Sequence, residues 1–383
     1  MRWWSGIRLF LLTALTSCAG VAPDPDEASV DDLPVVELDD EALARRTELE
    51  QSAMSAVVQR QFEEAAEFAE RALGVDPRSA RARAVLGMVS LQRAAEQDPI
   101  EWAGLRRGEE QLAMAQQLAP ADAFVGWMQA VFLAECGHLS AAAAAAEAAL
   151  ARCDEAPASE KAALLGIAGT YRYELGEERA ALPHLDAYTA FRPDDATAHF
   201  RLGACLLVLA KTPQGVPPPY RQAQSNAEQA ADAFRRCVEL APGDEDAASS
   251  VASALLRAAE LARLKRDGDG AARAAEAAAL EQRALDQLRV VAEAFPDSAE
   301  ARFRLAVVAK EQGDQELAEA SYRAALERDA GHEGSLMNLA TLAVEAGDVD
   351  RARALLERLL RSDAERRGLT GDERQRVRAW LER

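Results

Sequence analysis

The stretch AEARFRLAVVAKEQGDQELAEASYRAALERDAGH, residues 299–332, decides the fold. Its apolar residues recur at helical spacing in two runs, parted by Gly313-Asp314. Glycine suits the end of a helix because it adopts left-handed backbone without a Cβ clash. Aspartate suits the start of the next because its carboxylate accepts from first-turn N–H groups. Residues 333–366 repeat the plan around Gly347-Asp348, a period of 34 residues. Ala306, Ala318 and Ala325 are small enough for the two helices to approach closely, and Tyr322 is large enough to fill the gap toward the next unit. A hairpin of this kind cannot bury its apolar face alone, so neighbours must stack on it.

The same register runs back along the chain. Pairs are expected near 46–79, 80–122, 123–161, 162–195, 196–244, 245–298, 299–332 and 333–366. Leu86-Gly87, Ala168-Gly169, Leu202-Gly203 and Leu305-Ala306 mark first helices, while Pro77, Pro120, Pro193, Pro242 and Pro296 close second ones. The fifth and sixth pairs are lengthened by KTPQGVPPP and by a longer hairpin turning near RDGDG. Residues 370–383 read as a terminal capping helix, with Thr370 and Glu373 placed for a capping box and Val377, Trp380 and Leu381 on one face. Arg374, Arg376 and Arg378 are expected to stay in water. This pattern resembles the tetratricopeptide repeat. The resemblance implies an all-α, right-handed solenoid of about eight helical hairpins, covering 42–383.

The N-terminus reads differently. Arg2 and Arg8 precede a short apolar run, Leu9 to Leu15, which is too short to span a bilayer. Leu15-Thr16-Ser17-Cys18 resembles the bacterial lipoprotein box, which implies a signal peptide at 1–17 and a lipidated Cys18. Ala19 in place of aspartate leans the expected location to the outer membrane, facing the periplasm. Residues 19–41 hold nine acidic side chains and no basic one, with Pro23, Pro25 and Pro34 among them. Such a segment favours a disordered tether, with an r.m.s. reach of roughly 25 Å.

Loss of Arg2 and Arg8 takes the net charge from −20 to −22. That excludes nucleic-acid binding through a general phosphate term and opposes lying flat on anionic lipid. Charged residues make up 28% of the chain and aromatics 5%, the profile of a helix-rich protein. Cys136, Cys153, Cys205 and Cys237 are offset along their expected helices and are predicted to be free, buried thiols. His138, His184, His199 and His332 are scattered over different pairs without ligand spacing, so no metal site is expected. RDGDG lacks the later ligands of a calcium loop and reads as a tight turn. With no phosphate loop, nucleophile elbow or zinc-protease motif, the chain is predicted to be non-enzymatic and to need no cofactor.

The resemblance places a ligand groove on the first helices of the repeats. Carried onto this sequence, it marks Met88, Phe124, Trp127, Val131, Phe200, Arg201, Phe303, Arg304 and Met337 as groove residues. The alternative is that these aromatics pack between repeats. The functional expectation is a membrane-anchored scaffold that binds a protein or peptide in the cell envelope as an assembly factor. A second reading is capture of a small ligand or glycan by the inserted fifth and sixth pairs, which a closed, partly apolar pocket there would favour.

Overall fold

The computed structural model describes residues 30–97, 101–211, 219–265, 269–366 and 368–382. Among these residues it is all-α, built of helical hairpins, with one 3-10 turn at Val30–Asp32. The helices are α1 (Asp40–Val58), α2 (Phe62–Val75), α3 (Ala80–Ala95), α4 (Trp102–Leu118), α5 (Ala123–Glu135), α6 (Leu139–Leu150), α7 (Ala158–Glu174), α8 (Glu178–Phe191) and α9 (Ala196–Leu209). They continue as α10 (Tyr220–Leu240), α11 (Glu245–Leu264), α12 (Gly270–Ala294), α13 (Ala299–Glu311), α14 (Gln315–Arg328), α15 (Glu333–Glu345), α16 (Val349–Arg366) and α17 (Gly371–Leu381). Odd-numbered helices up to α15 are the first, or A, helix of each pair; even-numbered ones are the B helices. The architecture is that of an α-solenoid.

The local rules read from 299–332 recur. Gly137, Gly176, Gly313 and Gly347 end A helices with φ between +73° and +83°, a region other residues rarely enter. The residue before an A helix is its cap: the side chains of Ser79, Asp122, Asp195, Asp244 and Ser298 each accept from an N–H three residues on. Within the hairpins the small residue in the A helix is required by space. A Cβ on Gly169 would lie 2.9 Å from Leu185, and one on Gly203 2.9 Å from Phe234.

Two starts differ from expectation. The first pair begins at Asp40, not near 46, because Asp39 caps α1 and Asp40 and Glu41 occupy its first turn, where carboxylates favour the positive end of the helix dipole. These three acidic residues therefore belong to the solenoid and not to a tether. The fourth pair begins at Ala158, where Pro157 stands in the capping position. The lengthened helices α10, α11 and α12 have 21, 20 and 25 residues.

The chain divides into two compact units, residues 1–201 and 202–383, with the division falling inside α9. In unit 1, α1 to α8 form four hairpins. Each A helix packs on its own B helix and also directly on the next A helix: α1 on α3, α3 on α5, α5 on α7. One apolar cluster runs from Leu49 to Cys136 through the first three pairs, and a second, around Leu164 and Ile167, continues it into the fourth. In unit 2 the hairpins α11–α12, α13–α14 and α15–α16 pack as tightly internally, but α11 barely touches α13 and α13 meets α15 less still. Its described clusters are smaller, one of them joining Ala248, Val291 and Ala301. The last covers the end, where Leu336, Leu356 and Leu359 meet Val377 of α17, with Trp380 and Leu381 packed against them. Thr370 and Glu373 complete the capping box. Arg374 does not stay in water: its Nη2 donates to Asp363 Oδ1 at 2.9 Å and to the Leu369 carbonyl at 3.1 Å, tying the cap to α16.

Candidate functional site

The A-helix surface behaves differently in the two units. In unit 1 two of the expected groove positions are fully covered and the other four are half-buried. Phe124 is 0% exposed and Met88 1%, so neither is available to a ligand. Both belong to the core cluster of the first three pairs, because close A–A packing places these bulky side chains between helices. Trp127 and Val131 are half-buried and pack against both clusters of the unit. The Trp127 ring meets Phe124 edge-on at 5.8 Å. Phe124 and Met88 are therefore inter-repeat packing, the alternative that the sequence left open, and Trp127 and Val131 share in it with part of their surface. Arg201 is half-buried too, and donates to Thr170 Oγ1 at 3.3 Å with Glu174 3.9 Å away. Phe200 is also half-buried.

In unit 2 the same positions are more open. Phe303, Val307 and Lys310 form a half-exposed stripe at i, i+4, i+7 along α13. Met337, Thr341 and Val344 repeat it along α15, with Val344 43% exposed. Ser249, Ser253 and Leu256 hold the same places on α11, although Ser249 is buried. Phe303 packs one side against the next pair: a Cβ on Gly334 would sit 2.7 Å from its ring, and His332 lies 4.9 Å away. The ring also meets Tyr322 of its own hairpin at 5.9 Å, and it remains half-exposed. Arg304, beside it, pairs with Glu300 at 2.7 Å. The described unit 2 thus presents an apolar stripe of Phe303, Val307, Met337 and Val344 edged by charge, the composition of an interaction surface.

Two clefts also lie in unit 2. One, of about 460 Å³ between α10 and α12, is lined by Arg221, Glu228, Lys265, Asp269, Arg273 and Glu276, with Gln224 donating to Glu228 and Glu276 at 2.7 Å each. The other, of about 730 Å³, is edged by Asp244, Glu245, Asp246 and Glu300. Both are open to solvent and edged by charged side chains. Neither is the closed, partly apolar pocket that would favour a small ligand in the lengthened pairs.

Cys136, Cys153, Cys205 and Cys237 are free and buried. Among the described residues no group of three or more His, Cys, Asp and Glu side chains could hold a metal ion. His184 lies 3.2 Å from Glu147, a carboxylate that Arg172 holds below the usual carboxylate range, and His332 caps α15. No described helix is long and apolar enough to cross a membrane. Cys18 and the signal segment 1–17 lie outside the described residues.

Tetratricopeptide repeat profiles match residues 51–122, 282–333 and 309–369. Tetratricopeptide repeats are thus found in both units. No curated protein matches the chain. Among solved structures it is similar to the C-terminal part of a tetratricopeptide repeat-containing protein from Cytophaga hutchinsonii, at 16% identity over 76% of this chain and 99% of that one, with a TM-score of 0.45. It is also similar to YrrB, described as a tetratricopeptide protein with an unusual peptide-binding site, at 19% identity over 59% and 96%, TM-score 0.42. A third is Pseudomonas aeruginosa pilF, at 15% identity over 68% and 97%, TM-score 0.41. At these values the repeat assignment rests on the profile matches and the helical register, which suggest a scaffold for protein–protein interaction.

One group of residues had no signal in the sequence. Arg81 on α3 donates from Nε to Asp122 Oδ2 at 2.7 Å and stands 3.5 Å from Glu160 on α7, so three successive repeats meet at one guanidinium. These residues lie 41 and 79 positions from Arg81, and no local pattern connects them.

Proposed function

We propose that this protein is a non-catalytic scaffold that holds a protein or peptide partner on the A-helix face of unit 2, and that Cys18 anchors it by lipid in a bacterial cell envelope. The half-exposed stripe of Phe303, Val307, Met337 and Val344 carries the first part. Apolar surface left in water at the same register in consecutive repeats is best explained by a ligand that covers it. The lipoprotein-like Leu15-Thr16-Ser17-Cys18 and the acidic segment after it support the anchor. Three acyl chains would hold the chain stably, where a single one would not. An outer-membrane position, with the domain in the periplasm and a role in assembly, completes the reading.

The test has two arms. Crosslinking in envelope membranes compares the native protein with Phe303→Ala/Met337→Ala, after circular dichroism shows equal helicity. Loss of a specific partner in the variant supports the face; retention of the same partner rules it out. Metabolic labelling with an alkyne fatty acid compares native protein with Cys18→Ser. Label on both proteins, or on neither, removes the anchor from the proposal.

A further inference from the structure

Glu160 is the one acidic residue of the three-repeat junction that lacks a short ion pair. It is 6% exposed, and its Oε2 is buried without a hydrogen-bond partner. Its Oε1 stands 3.5 Å from Arg81 Nη1. Asp122 takes the better share of the same guanidinium, at 2.7 Å, while its other oxygen accepts from the Val125 N–H at 3.1 Å. The remaining charges around the junction do not relieve Glu160. Glu50 on α1 faces Arg81 as a further carboxylate. Lys161, next to Glu160 on α7, spends its ammonium on the Asp154 carbonyl at 2.6 Å. Cys153 and Asp154 add no positive charge from the preceding turn.

One guanidinium therefore serves two carboxylates in a covered place, and only one of them is within hydrogen-bonding distance. A buried charge without a close partner costs far more than a buried neutral acid. Burial accordingly outweighs Arg81 and pushes the Glu160 carboxyl above its ordinary value, with Asp122 adding to the effect. The junction also sits over the covered A-helix face, since Arg81 lies 6.0 Å above the Phe124 ring.

We propose that Glu160 is a protonation latch in unit 1: neutral, it lets α7 close on α5, and its ionisation loosens that contact and uncovers the α5 face carrying Trp127 and Val131. The sign follows from the folded acid being harder to ionise than the unfolded one. The destabilising effect is absent below the unfolded value, grows as pH rises between the unfolded and folded values, and is complete above the folded one.

The test is thiol labelling of the intact protein with a maleimide, read by peptide mass spectrometry from pH 5 to pH 8. Cys136, in the unit 1 cluster, is measured as a ratio to Cys237 of unit 2, which cancels most of the reagent's own pH dependence. In native protein the ratio should rise several-fold with pH, as the open form gains population. In Glu160→Gln it should stay low throughout. A flat ratio in the native protein overturns the latch, and so does Glu160→Gln labelling as fast as native at pH 8. Melting temperatures give an independent reading: the advantage of Glu160→Gln over native should grow from pH 4 to pH 8, and an equal difference at both, or a loss at pH 8, overturns it. If the amide variant does not fold, Glu160→Met is held to the same outcomes, and the native pH series decides alone if neither folds.

Discussion

Unit 1 and unit 2 are built from the same hairpin, yet one hides its A-helix face and the other shows it. The difference follows from what occupies the face. Unit 1 places Met88, Trp127 and Val131 there, with Phe124 beside them, apolar side chains that gain by covering one another when A helices close up. Unit 2 places Ser249, Ser253 and Thr341 at corresponding points, and these offer little apolar area to draw α11, α13 and α15 together. Phe303, Val307, Met337 and Val344 are then left half in water. The comparison teaches that one repeat fold can make either a core or a binding face, and that a few residues per repeat choose between them.

The largest effect should come from Phe124→Ala. The ring is fully buried, and such truncations cost about 3–5 kcal/mol. Phe303→Ala should cost about half as much, since the ring is only half-buried. Denaturant unfolding of the two variants checks the ranking; equal costs would mean that the two faces are equally closed. Gly169→Ala comes next, at about 1–3 kcal/mol, because a methyl group there meets Leu185 in a filled hairpin.

Two tyrosines sharpen the comparison at the small end. Tyr188 of unit 1 donates to Asp195 at 3.0 Å, whereas the Tyr322 hydroxyl of unit 2 is buried without a partner. Tyr188→Phe should lose about 1–2 kcal/mol, while Tyr322→Phe should be neutral or slightly stabilising. Burial pushes the Tyr322 phenol up to about 12. The unfolded phenol ionises first, near pH 10, so its effect on stability is nil below that pH and stability is lost as pH climbs from 10 toward 12. Tyr322→Phe should remove that share of the alkaline loss. Melting curves at pH 8 and pH 11 measure both claims, and a destabilised Tyr322→Phe would show that the hydroxyl has a partner.

Much of the architecture was legible because helical hairpins are encoded locally. Gly313-Asp314 announces an end and a cap within two residues, and the 34-residue period multiplies that signal. The capping box at Thr370 and Glu373 was legible for the same reason. Residues of the candidate face were harder to read. Trp127 and Phe303 occupy matching places in their repeats and both are half-buried, whereas Phe124, three positions before Trp127, looks as available in sequence and is core. Arg374 looked like a solvated charge on α17, until Asp363, eleven positions earlier, proved to be its partner.

By itself, then, the sequence determined the helices, their caps, the hairpin pairing and the free thiols, since each depends on residues a few positions apart or on a repeating register. Only the tertiary structure decided how closely successive A helices approach. That spacing made core of Met88 and Phe124, left the α13 and α15 stripes in water, and brought Arg81, Asp122 and Glu160 to one point. The physical reason is that burial and charge pairing depend on distance in space, and in a stack of repeats the neighbours that set those distances are contributed from 30 to 80 residues away.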